Sequence, residues 1–381
     1  MRAPVQAPNS APGRVTGPLT LSSRCCSKLV GRLRAPDSAV ARALPTHTDT
    51  RTAGSTAEAC DLVLSSGFLA FAGHAGFLQA VEELGLPVAG VMGTSAGALA
   101  GSLYCAGYSP RQVAKHLSEQ TPASLLLPSA APWRGGALSL EGVIGRLRDL
   151  LPPTFEELQR EFAVGVVAAD GRHLLIDSGP LPEAVAASAA IPFVFQPVDV
   201  PGHISHHGPF KDGGVVDRVG LKAWRDRRRA QMKSSNGSSP PRQPPPCLVH
   251  VIDRSSPFSG FDDTRAMGES RIVVVNSPRS GANFFDLGSF EEAMEAARDR
   301  ARPHLATLRR GGRRSSGSGG GGGPGSSSAG AVGVSVGSSG NGNGNGSAAE
   351  EAAAAAAAAA AVAASAVAAT AVESVSQATI V

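Results

Sequence analysis

Aromatic side chains are scarce in this chain: 4% of 381 residues, with two Trp and two Tyr. Single-stranded nucleic acid is held largely by stacking on aromatic rings, so the scarcity argues against such a partner. The net charge of +4 does not restore the case. Arg2, Arg14, Arg24, Lys28, Arg32, Arg34, Arg42 and Arg51 face only Asp37 and Asp49 before residue 57, an excess larger than that of the whole chain. The rest is close to neutral, and no nucleic-acid partner is expected. Cysteine is also sparse. The five present, with Cys25 and Cys26 adjacent, have no regular spacing. That excludes a disulfide framework and a zinc site and suits a reducing compartment.

Residues 1–57 are poor in acids and lack a continuous apolar run while being rich in Arg, Ser, Pro and Ala. This is the composition of an organelle transit peptide, chloroplast or other, and not of a secretory signal. An untargeted tail on a cytoplasmic or membrane-peripheral protein has the same composition. Residues 311–381 lack the apolar periodicity of a core, running from Gly/Ser-rich sequence into alanines from Ala352 to Ala361. They read as a disordered tail, and the alanine run has neither aromatic nor basic anchors for a membrane span. A basic, then Ser/Pro-rich stretch over 225–246 reads as a surface insertion.

What is left, residues 58–310, alternates strand and helix signals. Leu62-Val63-Leu64, Val88 to Met92, Phe162 to Ala169, Leu174 to Ile176, Leu248 to Ile252 and Ile272 to Val275 are apolar runs of strand length. Between them, Ala75 to Leu84, Ser95 to Ala106, the segment opened by Ser109-Pro110, the one after Ser139 and Ala184 to Ala190 read as helices, with a closing amphipathic helix over 290–308. Strands separated by helices predict an α/β fold of three layers, a mainly parallel central sheet with helices on both faces.

Two motifs carry chemistry. Gly93-Thr94-Ser95-Ala96-Gly97 is a G-x-S-x-G pattern between a predicted strand and a small-residue helix. Nucleophile elbows need that setting: the serine stands on a sharp turn at the sheet end, and the flanking glycines remove side chains that would clash. The helix start favours developing negative charge, and the Ala96 N–H is placed to serve an oxyanion. No histidine lies in a pattern that marks it as the base. Asp212-Gly213-Gly214 offers a carboxylate instead, although alone it is also the sequence of an ordinary turn.

In combination these residues resemble the patatin-like phospholipase (PNPLA-type) family. Leu62 to Val113 resembles the start of that domain, Ala187-Ser188-Ala189-Ala190-Ile191-Pro192 its ASxAIP-like segment, and Asp212-Gly213-Gly214-Val215-Val216-Asp217 its second motif. The resemblance implies the patatin-like version of the predicted fold, a Ser-Asp dyad formed by Ser95 and Asp212, no cofactor or metal, and membrane or lipid-droplet lipids as substrate. It implies backbone oxyanion donors at Gly67, Phe68 and Ala96.

The chain departs from the family at one place. The loop after the first strand is typically Gly-Gly-Gly-x-Arg/Lys-Gly; here Ser66-Gly67-Phe68-Leu69-Ala70-Phe71 keeps one glycine and no basic residue. Alternatives therefore stand beside the hydrolase: a weak or inactive lipid-binding protein, and a transacylase. The His203, His206, His207 cluster reads as an exposed loop rather than a metal site, and His74 as a residue holding the loop rather than a triad base. Head group, acyl position, chain length and oligomeric state stay open.

Overall fold

Leu62, Val63 and Leu64 have no exposed surface, and such a run satisfies its backbone only inside a sheet covered on both faces. The computed structural model places it there; the structure describes residues 58–203, 207–234, 243–254, 260–263, 266, 268–269 and 271–314. Strands β1 (Cys60–Leu64), β2 (Val88–Thr94), β3 (Leu127–Pro128), β4 (Gly136–Ser139), β5 (Glu161–Val167), β6 (His173–Ile176), β7 (Phe193–Phe195), β8 (Lys211–Asp212), β9 (Cys247–Ile252) and β10 (Ile272–Ser277) form two sheets.

The larger sheet has the order β10-β9-β1-β2-β5-β6, with β8 pairing β5. The pairs β10/β9, β9/β1, β1/β2 and β2/β5 are parallel; β6 and β8 run antiparallel to β5. Side chains alternate between faces as the pleat requires. Leu62, Leu64, Val91, Phe162, Val164 and Leu248 join one apolar core, while Val63, Met92, Ala163, Val249 and Val251 join another.

The first core is covered by helices α1 (Phe71–Glu83), α2 (Ala96–Cys105), α5 (Glu141–Leu150), α6 (Leu181–Ser188) and α8 (Phe290–Arg314), which contribute Phe77, Leu103, Leu147, Val185 and Leu305. The second is covered by α7 (Leu221–Ser234) through Trp224. The mainly parallel, three-layered α/β architecture read from the sequence is the one found. Helix α3 (Pro110–Ser118) starts as expected at Ser109, which forms a capping box with Gln112. Helix α4 (Pro122–Leu125) and the small sheet β3-β4-β7 had no counterpart in the sequence reading.

The stretch 225–246 departs from its reading as a surface insertion. Its start lies in α7, and Arg225 and Arg228 are buried. Arg228 donates through Nε at 3.0 Å and Nη2 at 2.7 Å to both oxygens of Asp61, which has no exposed surface, and its guanidinium lies 4.5 Å from the Trp224 ring centre. A buried carboxylate demands a paired cation, and that requirement orders a helix that composition alone reads as solvated. Helix α8 runs through Arg314, past the boundary read at 310. The segment 1–57, the alanine run, residues 235–242 and His206 lie outside the described residues. Among the described residues no helix is long and apolar enough to cross a membrane.

Candidate active site

The site forms where the carboxyl ends of β1, β2 and β5 meet the start of α2. Ser95 sits in the turn from β2 into α2 with φ 53 and ψ −117, a conformation a non-glycine residue seldom adopts. Such strain persists only where the surroundings hold it. A Cβ on Gly97 would stand 2.2 Å from the Leu64 carbonyl oxygen, and one on Gly93 would stand 2.4 Å from the Gly97 oxygen. Only glycines let the backbones approach so closely. The Ser95 N–H donates to Ser188 Oγ at 2.9 Å, and that hydroxyl donates to the Gly165 carbonyl at 2.7 Å.

Asp212 is buried at the end of β8, beside β5. The Ser95 side chain stands near enough to its carboxylate to lower its pKa. Gly214 N–H donates to Oδ1 at 2.7 Å, while Gly213 lies so close to Gly165 that a Cβ would meet its carbonyl at 2.3 Å. Burial pushes the Asp212 carboxyl up to about 7, against the lowering effect of the Gly214 and Ser95 hydrogen bonds. Desolvation turns an ordinarily weak base into one matched to neutral pH.

The loop between β1 and α1 brings Gly67 and Phe68 to the same place. Phe68 and Leu69 line a pocket with Ser95 and Ala96, and the Phe68 ring meets Phe284 edge-on at 5.2 Å. Leu69, not a glycine, takes the left-handed backbone here, with φ 51. Among the described residues no acceptor takes the N–H of Gly67 or Ala96. The pocket, about 130 Å³, is lined almost wholly by apolar side chains, among them Leu99, Leu103, Val143, Leu147, Ile191 and Phe195. Phe68, Ser95 and Ala96 thus share one pocket, while Gly93, Gly97, Gly213 and Gly214 make the close backbone approaches of the turns at Ser95 and Asp212.

Three contributors were not foreseen. Ser188 fixes the Ser95 backbone, and its only signal was membership of the Ala187-to-Pro192 segment. Arg218, buried, pairs with Asp262 at 2.8 and 3.1 Å and donates to the carbonyls of Ile252 and, at 3.5 Å, Ser66. A cation from beyond the second motif therefore grips the loop that lacks a basic residue of its own. His250 is the third: its Nδ1 lies 2.9 Å from His74 Nδ1, and its Nε2 lies 2.9 Å from Ser277 Oγ. Both rings are buried, and desolvation holds His74 down at about 4 and His250 well below the usual range. His74 is thus tied to His250 behind the loop. His203 Nε2 lies 3.2 Å from the Ser178 carbonyl.

Residues 62–223 match the family Patatin-like phospholipase. This is a patatin-like phospholipase domain. Its family is one of lipid hydrolases. The chain is 33% identical over 179 residues to uncharacterized NTE family proteins of Mycobacterium bovis and Mycobacterium tuberculosis, covering 46% of this chain and 48% of each relative. It spans about half the length of these curated relatives. Among solved structures it is similar to VipD from Legionella pneumophila, at 14% identity over 67% of both chains with a TM-score of 0.37. It is also similar to ExoU of Pseudomonas aeruginosa, at 15% identity over 67% of this chain and 54% of the other with a TM-score of 0.36.

Proposed function

We propose that this patatin-like domain cleaves acyl esters of phospholipids, galactolipids or acylglycerols through an acyl-enzyme on Ser95. The observation that carries the reading is Ser95, which lines an apolar pocket beside a buried Asp212 whose pKa its side chain lowers. Asp212 takes the Ser95 proton as Oγ attacks the ester carbonyl. Charge on the tetrahedral oxygen is met by backbone N–H groups of the loop and helix start, with Gly67 and Ala96 as donors that have no acceptor among the described residues and Phe68 next along the loop. Asp212 then gives the proton to the leaving alcohol as the acyl C–O bond breaks. Water attacks the acyl-enzyme, passes its proton to Asp212, and Oγ regains it as the fatty acid leaves.

A lipid-binding module of low turnover is the second reading, favoured by the left-handed Leu69 in the loop that supplies the donors. Fatty-acid release from mixed micelles of phosphatidylcholine, galactolipid or triacylglycerol separates the two. The full chain releases fatty acid and the Ser95→Ala variant does not. Release at the buffer rate by the folded wild type leaves the binding module standing. Acyl appearing as a new ester rather than free acid identifies a transacylase.

A further inference from the structure

Four large apolar side chains that do not line the pocket stand in solvent beside it. Trp133 is 82% exposed, Phe193 74%, Phe285 51% and Leu127 48%. Each is joined in sequence or in register to the pocket wall. Leu127 follows Leu126, Phe285 follows Phe284, and Phe193 leads two residues on to Phe195; Leu126, Phe284 and Phe195 all line the pocket. Trp133 lies in the single helical turn just before β4, whose Gly136 is paired with Phe193. The Phe193 N–H donates to the Gly135 carbonyl at 3.1 Å, fixing that strand against the Trp133 turn. Phe193 moreover holds φ 68, left-handed backbone that a bulky residue rarely adopts. Strain and solvent exposure of a ring coincide at one strand end.

The geometry points to a surface that docks on a lipid–water interface: Trp133, Phe193, Phe285 and Leu127 enter the interfacial layer and bring the pocket mouth against the lipid. This rests on the reading of the pocket as an acyl-chain site. A chain fitting so apolar a wall belongs to lipids that are aggregated in water, so the enzyme must meet them as a surface. A pocket rimmed by apolar side chains lets the acyl chain pass from bilayer to protein without crossing water. Exposed apolar clusters mark such contacts, and Trp in particular favours the membrane interface. The rings are uncharged, so this attachment does not need anionic lipid.

The test is co-sedimentation of the full chain with phosphatidylcholine vesicles, which carry no net charge for the basic residues 1–57 to follow. Trp133→Ser and Phe193→Asn remove the rings; Asn tolerates left-handed backbone, and neither residue lines the pocket. Turnover of a water-soluble short-chain ester is measured alongside. Partitioning onto vesicles is expected to fall about tenfold or more for each ring removed, with soluble-ester turnover unchanged. Vesicle-dependent loss in a chain that turns over no ester would leave the docking surface standing and remove the hydrolase reading. Equal sedimentation of wild type and variants, or none for the wild type, overturns the proposal. So does a wild-type dimer that the substitutions convert to monomer without any vesicle binding, because the rings would then face a second copy.

Discussion

Replacing Asp212 with Asn should make the protein more stable at alkaline pH while removing its turnover. Burial raises the Asp212 carboxyl from the ordinary 3.8 to about 7. A carboxyl raised on folding favours the native state in its protonated form; that stability is present below the unfolded value and is lost as pH climbs through the folded one. The loss accrues at about 1.4 kcal/mol per pH unit and totals about 4 kcal/mol once the group is ionised. Asn is neutral throughout and its carbonyl can still accept the Gly214 N–H, so it escapes this penalty. The stability gap between Asp212→Asn and wild type, from urea unfolding, should widen in favour of the variant by about 2–3 kcal/mol between pH 5 and pH 8. Over the same range the wild-type kcat/KM should rise with pH and level off above about pH 7. The variant should lose about 10²–10⁴ in rate. A stability gap that does not change with pH would refute the burial argument, and undiminished turnover would remove Asp212 from the chemistry.

Other sites answer to simpler measurements. Gly97→Ala sets a methyl carbon 2.2 Å from the Leu64 oxygen, so the turn must move; it should lose fluorophosphonate reactivity and more than about 2 kcal/mol of stability. Arg228→Met strands the Asp61 carboxylate in the sheet and should cost about 3–5 kcal/mol in urea unfolding; adding Asp61→Asn should return much of it. Val143→Trp narrows the apolar pocket, so a series of ester chain lengths should show kcat/KM shifting toward shorter acyl groups while turnover of the shortest persists.

The parts legible in sequence share a physical cause. Leu62 to Leu64, Val88 to Met92 and Leu248 to Ile252 are buried on both faces of a parallel sheet, so they appear as uninterrupted apolar runs. The Gly93-Thr94-Ser95-Ala96-Gly97 turn was legible because its close backbone approaches admit only glycine at two positions. What stayed hidden depends on partners far along the chain. Arg228 reaches Asp61 across 167 positions, and nothing local distinguishes it from the less buried Arg227 and Arg229 beside it. Ser188 looks like one more small residue on an alanine helix until folding sets its hydroxyl under the Ser95 N–H. Strands β3, β4 and β7 are two to four residues long, too short to show a period of two. The low-glycine loop was visible as a departure, but not that Arg218 would grip it from beyond the second motif.

Fluorophosphonate labelling of the full chain at pH 8, with the modified peptide mapped, is the direct test of whether Ser95 and the buried Asp212 make an activated nucleophile. A single adduct on Ser95 is expected, absent from Ser95→Ala and strongly slowed in Asp212→Asn. A folded wild type that stays unlabelled, or an adduct that persists unchanged in Asp212→Asn, would contradict it.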